Sequence, residues 1–180
     1  LRLIPGARLV LTDSAVHWLA LPTDLAAWSR LTRLLTLGKR RAPKGDCHLT
    51  RADLLDWGQG MILIALPPDP LDPDPQKTEA PARRTEADLR QIARAFAGQC
   101  HLGAAPVYDG QDQERLDRLA ALSQGTGLPM VAVGEVLMHR AARRPLADVL
   151  TCLRTGCTID GNGTRRLANG ERRPAASGGC

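Results

Sequence analysis

Short apolar runs and helical stripes of apolar residues alternate along most of this chain. Arg8 to Leu11 and Val16 to Leu21 predict two strands, with Thr12-Asp13-Ser14 as the turn between them. Thr23 or Asp24 can cap a helix whose apolar face is Leu25, Trp28, Leu31, Leu34 and Leu35, with Gly38 as its end. Trp28 lies on that stripe and is expected in the core; stacking on a base is the sharper alternative. Leu49 to Leu55 predicts a short helix, with Thr50 as cap and Asp53 completing a capping-box pattern. Met61 to Leu66 is a continuous apolar run, expected as a buried strand. Residues 67–81 carry six prolines and several acids, a surface insertion with no packing stripe.

Beyond it the alternation is regular. Glu86 to Ala97 predicts a helix with Leu89, Ile92, Ala93 and Phe96 inward, and Cys100 to Ala105 a strand. Asp112 to Ser123 predicts a helix with Leu116, Leu119, Ala120 and Leu122 inward, followed by the turn Gly125-Thr126-Gly127. Met130 to Val133 reads as a buried strand, ending at Gly134 and Glu135, where α/β sheets commonly place chemistry. After a basic turn (His139, Arg140, Arg143, Arg144), Pro145 opens a helix with Leu146, Val149, Leu150 and Leu153 on one face, and Gly156 stops it. From Met61 onward the order β, α, β, α, β, α argues an α/β fold with a mainly parallel sheet. Periodicity alone leaves open whether that sheet is open or closed.

Composition narrows the classes. The chain has 180 residues, enough for one domain with a real core, and 43% of them are apolar. Aromatics make up only 3%, so Leu, Ala and Val must fill the interior. No apolar run reaches membrane-spanning length, and no signal-peptide pattern precedes the first element. The chain starts at Leu1, inside a strand-like run, as expected of a fragment. Five cysteines, at 47, 100, 152, 157 and 180, are odd in number and irregularly spaced, which predicts a reducing cytoplasm and no disulfide framework. Cys152 and Cys157 lack a second pair, so zinc spacing is absent. Adjacent strand residues face opposite ways, which separates Cys100 from His101 as a nucleophile pair.

The net charge of +5 permits nucleic-acid association. Its densest cluster is Lys39-Arg40-Arg41-Ala42-Pro43-Lys44-Gly45, expected as a loop. It could neutralise phosphates, or simply be a solvated helix C-terminus, where cations are favoured. Gly-x-Ser-x-Gly, Walker and Gly-x-Gly-x-x-Gly patterns are absent.

Several stretches together resemble the PHP (polymerase and histidinol phosphatase) domain of bacterial C-family DNA polymerases. Gly134-Glu135-Val136 stands where that family shows Asn-Asp-Val. Residues 143–154, Arg-Arg-Pro-Leu-Ala-Asp-Val-Leu-Thr-Cys-Leu-Arg, stand at its Arg-Arg-x-Leu-x-Asp-Val-Leu-x-x-Ile-Arg helix. Leu34 to Gly45 is similar to a second family segment, and Leu1 to Gly6 to its Lys-Pro-Ile-Ile-Gly strand. Leu167 to Arg172 is similar to a family helix start. The likeness is greatest to the error-prone, damage-tolerant branch.

The resemblance implies a distorted (β/α) barrel truncated at its N-terminus, a partial PHP domain over 1–160, and a linker or disordered tail over 161–180. It implies a parent nucleotidyltransferase, a DNA-directed DNA polymerase of replication, repair and DNA-damage tolerance. That parent would use Mg²⁺ in a palm domain elsewhere, act on DNA, and meet other damage-response proteins. For Lys39, Arg40, Arg41, Lys44, Arg143 and Arg144 it raises contact with nucleic acid or with the rest of the polymerase. No cofactor is expected in this segment, and no membrane. A PHP domain can hold divalent ions for phosphoester hydrolysis. At its ligand positions this chain has Arg8, Val107 and Leu137, with only Glu135 as a vestigial ligand and His139 two residues beyond the expected place. The segment is therefore expected to be a non-catalytic scaffold. The competing reading is a stand-alone metal-dependent phosphoesterase of the PHP superfamily.

Overall fold

Alternating runs and stripes become alternating strands and helices. The computed structural model describes residues 3–69, 82–134 and 136–165. Among these, the order is β1 (Ala7–Leu9), β2 (His17–Pro22), α1 (Leu25–Arg41), α2 (Arg51–Trp57), β3 (Met61–Leu66), α3 (Ala82–Ala95), β4 (Cys100–Ala104), α4 (Asp112–Thr126), β5 (Met130–Ala132) and α5 (Arg144–Thr155). Short 3-10 turns cover Ala141–Arg143 and Asp160–Arg165. Most of the 67–81 insertion, Leu1, Arg2, Glu135 and residues 166–180 lie outside the described residues. No described helix is long and apolar enough to cross a membrane.

The described residues divide into two compact units. One is drawn from Leu1–Ala104 and Arg115–Val131, the other from Ala105–Glu114 and Ala132–Cys180. The first contains the sheet, with its strands in chain order β1-β2-β3-β4-β5. β1 and β2 run antiparallel, as their short connection requires, and so do β2 and β3. β3 and β4 run parallel, joined through α3. The sheet is therefore mixed rather than mainly parallel, and it is open among the described residues. The β3-α3-β4 step has the helical crossover that parallel pairing needs, whereas β2 pairs antiparallel with β3 although α1 and α2 lie between them; the hydrophobic pattern predicts the elements and not their directions.

The register sorts the two sheet faces. Leu9 opposes Trp18, Trp18 opposes Ala65, and Leu63 opposes Cys100. These residues, with Ala20, Met61 and Leu102, form one buried face. Ala27, Leu31 and Leu34 of α1, Leu54 of α2, Leu89 and Ile92 of α3, and Phe96 cover it in the same core. The α3 stripe thus packs as its spacing predicts. α4 follows its stripe in part: Leu119 and Leu122 pack against the core, but Leu116 is exposed while Arg115 is buried, its Nε donating to Asp69 at 2.7 Å. The Asp69 carboxylate supplies a charge partner, which permits a guanidinium inside.

α1 also departs from expectation. Asp24 is its cap, its Oδ1 accepting from the Ala27 N–H at 2.6 Å. The buried stripe is Ala27, Leu31, Leu34 and Gly38, and Trp28 stays 40% exposed rather than entering the core. The helix does not end at Gly38. A Cβ there would lie 2.6 Å from Cys47 Sγ and 2.7 Å from Leu49 Cδ2, so this glycine serves close packing inside the helix. The stretch from Met130 to Ala132 is not the buried strand that its apolar run suggests; β5 is a largely exposed terminal strand of the sheet.

In the second unit α5 begins with Pro145 in its first turn and ends at Gly156, which adopts the left-handed conformation (φ 65°). Its predicted apolar face points outward. Leu146, Val149, Leu150 and Leu153 are exposed, and Cys152 is the buried residue.

Candidate nucleic-acid interface

Extension of α1 past Gly38 reshapes the basic cluster. Lys39, Arg40 and Arg41 form the last helical turn rather than a loop, where cations oppose the negative end of the helix dipole. The Gly38 carbonyl accepts from the His48 N–H at 3.0 Å, and the Pro43 carbonyl from the Asp46 N–H at 3.1 Å. These bonds fold the 42–48 segment, which carries Lys44, back towards the end of the helix.

The four cations are not equivalent. Arg41 Nη1 donates to both oxygens of Asp53, at 2.9 and 2.7 Å. Asp53 is buried and completes the capping box of α2. Its carboxylate accepts from the Thr50 N–H and hydroxyl, both at 2.9 Å, and its own N–H donates to Thr50 Oγ1 at 3.3 Å. Burial alone would raise the Asp53 carboxyl, but the bonds from Thr50 and then Arg41 outweigh it and hold it below the usual carboxylate value. Arg41 therefore ties the end of α1 to the start of α2. Lys39, Arg40 and Lys44 are exposed and make no ion pair among the described residues. Arg143 and Arg144 belong to the second unit. Arg143 is exposed at the end of a 3-10 turn, and Arg144 lies 3.9 Å from Asp148 one helical turn on.

A network invisible to periodicity anchors α2 on its other side. The Arg51 N–H donates to Asp13 Oδ1 at 2.9 Å, and its guanidinium reaches Asp13 at 3.2 Å and also Asp88. Ser14 Oγ donates to Asp88 at 2.7 Å. The turn after β1, α2 and α3 are thereby joined. The signal available in the sequence is Asp13 in a turn and Arg51 just after a cap, and neither marks a partner.

The positions compared with PHP metal ligands carry other interactions. Arg8 donates from Nε and Nη2 to His17 Nδ1, at 3.2 and 2.8 Å. The Val107 N–H donates to Asp112 Oδ1 at 2.8 Å, in a loop where the Tyr108 N–H reaches Oδ2 at 2.9 Å. Leu137 and His139 are exposed, and Glu135 lies outside the described residues. Among the described residues no three His, Cys, Asp or Glu gather as a metal-binding group. A guanidinium, an isopropyl and an isobutyl group do not fit a divalent ion. Burial pushes the Cys100 thiol up to about 11, which leaves it a poor nucleophile.

No family model matches the chain. Curated relatives do. A protein named error-prone DNA polymerase from Ruegeria pomeroyi is 59% identical over 172 residues, covering 96% of this chain and 15% of the relative. Proteins of the same name from Caulobacter vibrioides and Rhodopseudomonas palustris are each 42% identical, over 172 and 177 residues, again covering 15% of their length. Identity at this level over nearly the whole chain is homology, and the chain spans about 15% of the relatives it matches. This chain corresponds to one segment of the proteins named error-prone DNA polymerase.

Proposed function

We propose that this chain is the PHP region of an error-prone DNA-directed DNA polymerase, serving there as a non-catalytic scaffold. The observation that carries the reading is the 59% identity over 172 residues to a protein of that name. The parent extends primers with Mg²⁺ held elsewhere in the polypeptide and works in the cytoplasm on damaged DNA, beside other damage-response proteins. The open sheet is part of a distorted barrel completed by other residues of the parent. The stand-alone phosphoesterase is the weaker reading, because the relatives are named polymerases and are far longer than this chain. Full-length parent protein should extend a primer past a lesion in Mg²⁺; purified parent with no template-dependent extension would remove the reading.

The scaffold role predicts that the parent holds no metal in this region. The pairing of Arg8 with His17 supports that, since a permanent cation occupies a position where the metal-binding pattern needs an acid. Elemental analysis of the parent, with and without Glu135→Ala, should give the same metal content. A 3′-exonuclease assay in Mn²⁺ or Zn²⁺ should show no activity sensitive to that change. Stoichiometric metal lost with Glu135, or nuclease activity lost with it, would reverse the assignment.

The basic end of α1 acts by non-specific electrostatics, with Arg143 adding charge in the second unit. It has no aromatic group for stacking and no Asn or Gln for base edges. Because Arg41 is held by Asp53, the phosphates are met by Lys39, Arg40 and Lys44. Replacing those three by Ala in the parent should weaken DNA binding similarly for all sequences. The salt slope should fall by about 0.9 for each phosphate that is no longer neutralised. An unchanged slope in filter-binding or anisotropy titrations would leave the cluster a solvated helix end.

A further inference from the structure

The apolar stripe of α5 is at odds with its surroundings. Leu146, Val149, Leu150 and Leu153 recur at offsets of three and four, the pattern by which a helix enters a core or a groove. Here all four face outward, Leu150 being 58% and Leu153 74% exposed. The side turned inward carries Cys152, with Thr151 and Asp148 half-buried. Val136, Leu137 and Ile159 of the same unit are also exposed. Single exposed leucines need no explanation, but a full helical stripe of them marks an interaction surface.

We propose that this stripe is a docking face for the remainder of the parent polypeptide, covered by an apolar segment outside residues 1–180. The proposal rests on the polymerase reading above. Length identifies the occupant: the relatives that match 96% of this chain extend over several times its length, so most of such a polypeptide lies outside the match. Exposed Arg143 precedes the stripe and exposed Arg154 follows it, so the complementary segment is apolar with an acidic rim.

The test uses the full-length parent. Leu150→Cys and Leu153→Cys are each labelled with a maleimide, the site is read by mass spectrometry, and Arg154→Cys serves as the exposed reference. Position 150 should react about tenfold slower than the reference, because a covered thiol is inaccessible. In a second arm, Leu150→Asp with Leu153→Asp should make the region around α5 cleave several-fold faster in limited proteolysis, with the circular dichroism of the parent unchanged. Labelling of both cysteines at the reference rate, or proteolysis unchanged by the double substitution, overturns the proposal. So does a parental dimer that the double substitution splits, since a second copy would then be the occupant. Primer extension on the same preparations separates the two ideas. A parent that fails to extend primers refutes the polymerase reading, while the labelling rates still decide whether the stripe is covered.

Discussion

Trp18→Ala is expected to shift the urea midpoint of the chain further than any other single substitution in the sheet. Trp18 is 1% exposed, lies in β2 between Leu9 and Ala65, and is among the largest fully buried side chains. Truncating a buried aromatic to Ala costs about 3–5 kcal/mol, through lost transfer energy and the cavity left behind. Domain stabilities are about 5–15 kcal/mol, so this loss is a large fraction of the total and should move the urea midpoint by a large step. Trp28→Ala is the control. That indole is 40% exposed on α1, and its loss should cost about 1 kcal/mol or less. Equal midpoint shifts for the two variants would mean that the core does not centre on β2.

Asp53→Ala should be the most damaging change to a charged residue. It removes the capping box of α2 and leaves the Arg41 guanidinium without the carboxylate that now accepts from it at 2.9 and 2.7 Å. Cap loss costs about 1 kcal/mol, and lost bonds to a charged group about 1.5–3 kcal/mol, discounted here because Arg41 is partly exposed. The expected total is about 2 kcal/mol. The effect should also depend on pH in a defined direction. The carboxyl is held below its ordinary value in the folded chain, so its contribution is fully present above about pH 4 and is lost as pH falls further. The gap in stability between wild type and Asp53→Asn should therefore keep its full, constant value above about pH 5 and shrink as pH falls below about 4. A gap that stays unchanged down to strongly acid pH would contradict the assignment of this pair.

What the sequence reveals and what it hides follow from the kind of force at each place. The α3 stripe of Leu89, Ile92 and Phe96 and the Thr50–Asp53 box are legible, because both depend on neighbours three or four residues away. The α1 stripe is misleading at its ends. Leu25 is apolar but stands in the first turn, outside the packed region, while Ala27 and Gly38 are buried through their smallness. Gly38 suggests a stop because glycine commonly ends helices, yet its role is a tight fit against Cys47 and Leu49, beyond the end of the helix. Arg115 is inside because of Asp69, 46 positions earlier, which no local pattern reveals. The apolar face of α5 is legible as a face. Periodicity shows that it is apolar and says nothing of what lies over it. At the basic cluster, residue type is legible and availability is not, since Asp53 holds Arg41 from 12 positions downstream.

The sheet order carries a consequence for synthesis on the ribosome. Its strands lie side by side in the order in which they are translated, β1-β2-β3-β4-β5. Each strand that emerges meets an edge already made, and no described strand waits for a partner translated after its next neighbour. Chains that fold while being made, N-terminal part first, are spared long-lived unpaired edges by such an order. β2 pairs with β1 across a short turn and β3 then pairs with β2, while Leu89 and Ile92 of α3 and Phe96 join the same core only after Leu66. The first three strands can thus pair as they emerge, but β3 keeps an open edge until β4 follows, so a pause in translation just after Leu66 is the point of greatest exposure for this chain.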